Sequence, residues 1–170
     1  LYGAIDFYSA ARAAGIRPII GCEGYVASGS RFDKDSSDRF PFHITMLAKN
    51  DAGYRNLIAL QSKAHLEGFY YRPRMDRELL QQHSEGIIVL SGCPSGEIPK
   101  LIATGQLDQA RKTAGWFRDV FQDGYYFELM SHGGVPEQPA INKGLVELSR
   151  ETGITLVATN DSHYVRQEDH

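Results

Sequence analysis

The sequence predicts an α/β fold, and two observations carry this prediction. Short apolar runs rich in β-branched residues recur along the 170-residue chain, separated by segments whose apolar residues follow helical spacing. Glycines stand where two of the predicted helices should end, at Gly15 and Gly153. The alternation favours a mostly parallel sheet with crossover helices, open or closed into a barrel. With no repeat and no linker, residues 1–170 are predicted to be part of a single domain.

The first half of the chain is predicted to begin with an amphipathic helix and a buried strand. The β-branched run Pro-Ile-Ile at 18–20 opens this strand, which is expected to end near Glu23. A polar stretch with several Asp and Ser residues then predicts a surface loop. The elements are a helix ending at Gly15, a strand over 18–26, a loop over 27–40, a strand over 43–48, and a helix N-capped by Asp51.

The second half repeats the alternation of strands and helices. An aromatic trio at 69–71 is interpreted as a loop, and Ser95 is expected to cap a helix. The remaining elements are a helix over 77–82, a strand over 86–90, a helix after Ser95, a helix over 107–121, a strand over 125–130, a helix over 139–151, and a strand over 154–159.

Composition limits the classes of function. The net charge is −3 and there is no basic stripe, which argues against a self-sufficient nucleic-acid-binding module. Two cysteines cannot form a disulfide framework and fit a reducing cytoplasm. No apolar run approaches the ~20 residues that a membrane-spanning helix needs. The first residue is Leu1, inside a predicted helix, so we expect a fragment of a longer protein.

Candidate functional residues follow from the edge rule for parallel sheets, in which functional groups gather beyond the carboxyl ends of strands. These positions hold Glu23, Cys93, Asp161 and His163, and His43 is the remaining candidate, at the head or middle of its strand. Such a mixture of oxygen, nitrogen and sulfur donors suits zinc, manganese or iron rather than calcium. In the Asp-x-His pair, residues two apart on an extended segment face one side and could share a metal.

Each candidate also has an ordinary structural interpretation, and spacing alone does not decide between the two. Glu23 could be a solvated rim charge, Cys93 a small buried hydrophobe, and His43 a hydrogen-bonded core residue. Asp161 and His163 could be a turn aspartate beside a surface histidine. Of the other candidates, Cys22 should face the packed side of its strand, His65, His83 and His170 are interpreted as surface residues, and His132 stays open.

Five longer strings resemble one family, the PHP (polymerase and histidinol phosphatase) domain in the form found in bacterial polymerase III alpha subunits. The resemblance covers essentially the whole chain in the family's order. The strings are Pro-Ile-Ile-Gly-Cys-Glu at 18–23, His-Ile-Thr-Met-Leu-Ala-Lys-Asn at 43–50, Ser-Lys-Ala-His-Leu-Glu-Gly-Phe-Tyr-Tyr at 62–71, Leu-Ser-Gly-Cys-Pro-Ser-Gly-Glu-Ile-Pro at 90–99, and Leu-Val-Ala-Thr-Asn-Asp-Ser-His-Tyr at 156–164.

The resemblance implies a distorted, TIM-like β/α barrel that holds up to three metal ions at one end. It assigns metal-ligand roles to Glu23, His43, Cys93, Asp161 and His163, with zinc or manganese as the expected ions. It assigns none to His132. The family's earlier ligands, a His-x-His and an Asp-His, would lie before Leu1, so the barrel is expected to be incomplete at its N-terminus.

The polymerase palm, with its magnesium-binding aspartates, is also absent. The resemblance implies a parent DNA-directed DNA polymerase of replication that binds primer-template, a sliding clamp and a proofreading subunit. For the segment itself it implies metal-dependent phosphoester hydrolysis, such as 3′–5′ exonuclease activity. Two alternatives stay open: a metal-stabilised structural module of the polymerase, and a stand-alone phosphatase of a small phosphate ester. No exonuclease domain interrupts the chain, which argues against the polymerase type that carries such an insertion.

Overall fold

A computed structural model of the chain describes residues 1–131 and 134–169. Helices and strands alternate along these residues, so the predicted α/β class is confirmed. In chain order the elements are α1 (Ala4–Ala13), β1 (Gly21–Val26), β2 (Phe42–Ala48), α2 (Asp51–Leu66), β3 (Phe69–Tyr70), β4 (Arg72–Met75), α3 (Arg77–Gln82), β5 (Ile87–Leu90), α4 (Glu97–Ala103), α5 (Leu107–Phe121), β6 (Tyr125–Met130), α6 (Gln138–Thr152) and β7 (Leu156–Thr159).

The strands of the described residues form one seven-stranded sheet in the order β3-β4-β1-β2-β5-β6-β7. The sheet is open, with β3 and β7 at its edges, as expected of an incomplete barrel. Strands β1, β4, β5, β6 and β7 run in one direction, whereas β2 lies antiparallel between β1 and β5. The carboxyl ends of four strands in this order (β1, β5, β6 and β7) therefore share one edge with the start of β2.

The predicted parallel arrangement with crossover helices describes β5, β6 and β7, whereas β1 and β2 pair antiparallel across the loop over 27–41. One prediction about the sheet is wrong. The aromatic trio predicted as a loop instead enters a short hairpin, in which Phe69 pairs with Pro73 and Tyr70 with Arg72. Tyr71 makes the turn between these strands with φ at 57°. Short strands such as these carry little periodic signal.

Two helix starts also differ from the sequence-based expectation, each by one residue. The N-cap of α2 is Asn50, whose side chain accepts a hydrogen bond from the Gly53 amide, and Asp51 is the first helical residue. The N-cap of α4 is Gly96 rather than Ser95. The predicted end of α6 is confirmed, because Gly153 adopts the left-handed conformation that closes a helix.

The core lies between the sheet and helices α2, α5 and α6. The predicted apolar face of α5 is confirmed, with Ala110, Ala114, Phe117 and Phe121 buried. Leu57 on α2 and Leu145 on α6 are fully buried, and each such side chain stabilises the fold by about 2 kcal/mol. In the part of the chain that the structure describes, no helix is long and apolar enough to cross a membrane.

Candidate metal centre

The candidate site lies at the sheet edge where the start of β2 meets the ends of its neighbours. Because β2 is antiparallel to β1, His43 near its start pairs with Tyr25 near the end of β1. Glu23 pairs with Thr45. Because Glu23 and Tyr25 are two residues apart on the same strand, their side chains lie on the same face of the sheet. The Glu23 carboxylate reaches the diagonal neighbour and contacts Nδ1 of His43 directly.

The prediction that β1 ends near Glu23 is wrong, because the strand continues to Val26. Glu23 reaches the site from the middle of the strand rather than from its carboxyl end. Cys22, next to it, packs against the core as expected, and its Sγ accepts a hydrogen bond of 3.2 Å from Gln61. The alternation of the strand thus separates a core cysteine from a site carboxylate.

The turn after β5 brings a third donor to the same place. Gly92 has φ at +83°, a conformation that residues with a Cβ rarely adopt, and a Cβ there would lie 2.9 Å from the His43 carbonyl oxygen. The turn is tied to β2 by a hydrogen bond of 3.1 Å from the His43 amide to the Ser95 carbonyl. Sγ of Cys93 consequently lies 3.6 Å from Nδ1 of His43.

Glu23, His43 and Cys93 form a compact donor group that could hold a metal ion. One donor atom from each residue lies within 4.8 Å of the other two. Burial raises the pKa of the Cys93 thiol, hydrogen bonds from Ser95 partly oppose the rise, and the negative charges of Asp161 and Glu23 add to it. Oxygen, nitrogen and sulfur donors together match zinc and its neighbours among the transition metals, so the residues fit such an ion.

The Asp-x-His pair approaches this group from β7, but its two residues are placed differently. The charge of Asp161 acts on Cys93, and its side chain is 23% exposed. The side chain of His163 is 60% exposed, and its Nδ1 donates to the Asp161 carbonyl oxygen at 2.8 Å. In this arrangement His163 lies outside the three-donor group, so a ligand role for this pair remains a prediction.

The profile of the PHP domain family matches residues 1–132, which include the three-donor group. The chain belongs to the PHP domain family. The sequence resemblance to this family is therefore confirmed, although a ligand role for each predicted site residue is still untested.

The curated relatives that this PHP chain matches are longer proteins. It is 48% identical over 171 residues to the DNA polymerase III subunit alpha of Borreliella burgdorferi, and 48% identical over 172 residues to that of Thermus aquaticus. It is 40% identical over 180 residues to that of Helicobacter pylori. Each match covers 99% of the chain, and the chain spans about 15% of the length of these relatives.

Sequence analysis did not predict one acidic residue beside the candidate site, Glu128 in β6. This residue is only 4% exposed. It accepts a hydrogen bond of 3.1 Å from the Gly92 amide and one of 2.6 Å from the Thr159 hydroxyl, so it joins the turn that carries Cys93 to the end of β7. The available signal was a single carboxylate within the otherwise apolar strand Tyr-Tyr-Phe-Glu-Leu-Met at 125–130.

Burial and nearby negative charges both act on Glu128. Burial raises the pKa of its carboxyl group, the hydrogen bonds from Thr159 and Gly92 oppose the rise, and the charges of Asp161 and Glu23 increase it. The charges of two neighbouring carboxylates therefore act on Glu128 at this edge of the sheet. A divalent cation held by the nearby donor group would offset this repulsion.

The other histidines lie away from the donor group or outside the described residues. His65 is exposed on α2, as predicted. His83 is half-buried rather than exposed, and its Nδ1 lies 3.3 Å from the side-chain oxygen of Asn56. His132 and His170 lie outside the described residues.

Proposed function

We propose that the chain is the PHP part of a DNA polymerase III alpha subunit and that its site hydrolyses a phosphoester bond at a primer 3′ end. The observation that carries the proposal is the donor group of Glu23, His43 and Cys93 within 4.8 Å. Similarity to polymerase III alpha subunits along 99% of the chain supports the replicative context over a stand-alone phosphatase. On a primer end the reaction is 3′–5′ exonuclease proofreading.

Zinc or manganese ions are the proposed cofactors, held by Glu23, His43 and Cys93 together with Asp161 and His163. A bound divalent ion makes water a stronger nucleophile at neutral pH and neutralises charge on a phosphate. Within the chain, the Glu23 carboxylate orients the His43 ring through Nδ1. The His43 amide fixes the turn that presents Cys93. The chain therefore supplies a preorganised set of donors.

The remaining roles belong to the proposed parent protein. We propose that it is a cytoplasmic DNA-directed DNA polymerase of replication, that magnesium serves its separate palm domain, and that it binds primer-template DNA, a sliding clamp and a proofreading subunit. All of residues 1–170 are proposed to belong to one PHP domain. The similarity of the chain to polymerase III alpha subunits supports this assignment.

The test compares metal content and nuclease activity in the complete polymerase, without added nucleotides. Cys93→Ser should lose bound metal in elemental analysis and should stop releasing nucleotides from the 3′ end of a 5′-labelled primer. Cys22→Ser is the matched control, because Cys22 faces the core side of its strand and should retain both properties. Unchanged metal content in Cys93→Ser would contradict the ligand assignment. Metal-dependent stability without nucleotide release in the unsubstituted protein would instead favour the structural module.

A further inference from the structure

A basic groove of about 460 Å³ lies beside the donor group. We define the basic groove by Tyr25, Arg39, Phe40, His43, Arg72 and Lys100, which line it. It opens between the end of the loop over 27–41, the strand β4 and the helix α4. His43 lines the groove and also belongs to the donor group, and Pro94 and Ser95 next to Cys93 line it too, so the two sites adjoin.

The three cations of the groove stand against aromatic rings rather than carboxylates. The guanidinium of Arg39 lies 4.8 Å from the ring centre of Tyr71, and that of Arg72 lies 5.7 Å from that of Tyr25. The ammonium of Lys100 lies 5.4 Å from the ring centre of Phe42. Among the described residues that line the groove there is no carboxylate. In a chain of net charge −3, this is a local excess of positive charge.

Three other arginines of the chain are paired with carboxylates. Arg31, Arg77 and Arg111 each bind a carboxylate at 2.7–2.8 Å, so their charge is neutralised within the fold. The cations of the basic groove are exposed and keep their charge available to an anion. Three cations along one groove match successive phosphates better than a single anionic group.

Exposed aromatic rings accompany these cations. Phe40 is 74% exposed and Tyr71 is 58% exposed. Tyr71 is held outward by the tight turn between β3 and β4, where its φ of 57° is unusual for a residue with a side chain. Flat apolar rings among cations offer stacking surfaces for unpaired bases, whereas a duplex keeps its bases stacked on one another.

We propose that the basic groove binds a single strand of nucleic acid whose end reaches the donor group. The phosphates lie against Arg39, Arg72 and Lys100, and bases stack on Phe40 and Tyr71. This proposal rests on the proposed function in one respect only, namely that the 3′ end of the strand is the end that reaches the donor group. Binding itself requires no hydrolysis, so the two proposals can fail separately.

Photocrosslinking in the complete polymerase tests the proposal without relying on nuclease activity. A single-stranded oligonucleotide with thiothymidine near its 3′ end is irradiated in the presence of a chelator, and the crosslinked peptide is identified by mass spectrometry. We expect crosslinks at Phe40 or Tyr71. The triple variant R39E/R72E/K100E should reduce this crosslink about tenfold at physiological salt, because three phosphate contacts are lost. Its salt dependence should also weaken, by a slope of about 2 on logarithmic axes.

The matched control is K112E/K143E/R150E, which makes the same change in charge at exposed positions of α5 and α6. This variant should leave the crosslink unchanged. A second pair separates stacking from charge: Phe40→Ala should reduce the crosslink at Tyr71 about fivefold or more, whereas Phe7→Ala, at an exposed phenylalanine of α1, should not. Unchanged thermal unfolding of the variants excludes a folding defect.

The outcomes separate the two proposals. Crosslinks that map outside the basic groove, or that persist in the triple variant, would overturn the groove. If an unlabelled duplex reduced the crosslink as well as an unlabelled single strand does, the choice of a single strand would be overturned. Crosslinks within the groove of a protein that releases no nucleotide with zinc or manganese would support the groove and reject the proposed hydrolysis.

Discussion

Two polar clusters of the chain differ in how their carboxylates are paired. In the first, the buried guanidinium of Arg31 binds Glu67 at 2.8 Å and Asp76 at 3.0 Å. In the second, at the candidate metal centre, burial raises the pKa of the Glu128 carboxyl group. The charges of Asp161 and Glu23 raise this pKa further. The carboxylates of the first cluster are paired with the cations Arg31 and Lys63, whereas in the second cluster the charges of two carboxylates act on a third.

The difference separates a structural site from a binding site. Asp76 is 4% exposed, yet it accepts from the Arg31 side chain and also from the Leu79 amide at the start of α3. Its charge and hydrogen bonds are therefore satisfied within the fold. The group around Glu23 and Cys93 could hold a cation from outside. Buried polar groups alone do not indicate function, whereas a perturbed pKa among candidate metal donors is a signal of it.

The largest expected effect comes from breaking the first cluster. Arg31→Met should lower the free energy of unfolding by about 3 kcal/mol, because it leaves the Asp76 carboxylate buried without its cation. Urea denaturation measures the change. Arg111→Met, at an exposed pair with Glu151, is the control and should shift the midpoint little. If the two substitutions lowered the free energy of unfolding equally, burial of the Arg31 ion pair would not add to its contribution to stability.

The second cluster should gain stability from a bound cation. At a free metal concentration about a hundred times the dissociation constant, zinc should raise the free energy of unfolding by about 2.7 kcal/mol. Cys93→Ala should abolish this gain, and thermal unfolding with and without a chelator measures it. The first cluster gives the contrast, because Glu67→Gln should leave the metal-dependent gain intact. A gain that survives in Cys93→Ala would place the metal elsewhere.

Glu128 tests whether the hydrogen bonds or the charge of the second cluster matter more for stability. Glu128→Ala should cost about 2 kcal/mol in the metal-free protein, because the Gly92 amide loses its acceptor. Glu128→Gln should cost less, since its amide can accept from Gly92 and donate to Thr159 while the charge is removed. Urea denaturation of both variants measures the difference. A greater loss in the Gln variant would mean that the negative charge itself stabilises the fold.

The smallest expected effect is a pH dependence in the first cluster. The hydrogen bond from Arg31 holds the pKa of Glu67 below its ordinary value of 4.5, and the charge of Lys63 lowers it further. A lowered pKa in the folded protein means that the stabilisation is complete above the unfolded value and is lost as the pH falls through the folded one. The stability difference between wild type and Glu67→Gln should therefore be present at neutral pH and disappear in acid. If this stability difference instead grew on acidification, the pKa of Glu67 would be raised in the folded protein rather than lowered.

Sequence reasoning predicted the fold best where the signal was periodic and long. Helices α5 and α6 were found because apolar residues repeat over several turns and Gly153 ends the second of them. The direction of β2 was not predicted, because strand orientation depends on pairing partners, which a single strand's sequence does not specify. The cap of α2 was missed by one residue because Asn50 and Asp51 are both good capping residues.

The same limits apply to the candidate site. Glu23, His43 and Cys93 were found because each is a metal-binding residue type within a distinctive string, and the structure brings them together. Glu128 was missed because its function in the site is defined by contacts with Gly92 and Thr159, far away in sequence. The position of His163 depends on the backbone after β7, for which the Asp-x-His spacing gives no orientation.

The reversed strand β2 also gives the site an order of assembly during synthesis. Glu23 and His43 meet as soon as the hairpin of β1 and β2 pairs, but Cys93 joins only after β5 docks on β2. Asp161 arrives last, with β7. A nascent chain on the ribosome therefore presents first two donors, then three, and finally the full acidic edge. If the donor group binds a metal, its capture should tighten stepwise as the chain emerges, and an ion bound early would hold β1, β2 and β5 in register while β6 and β7 are still being made.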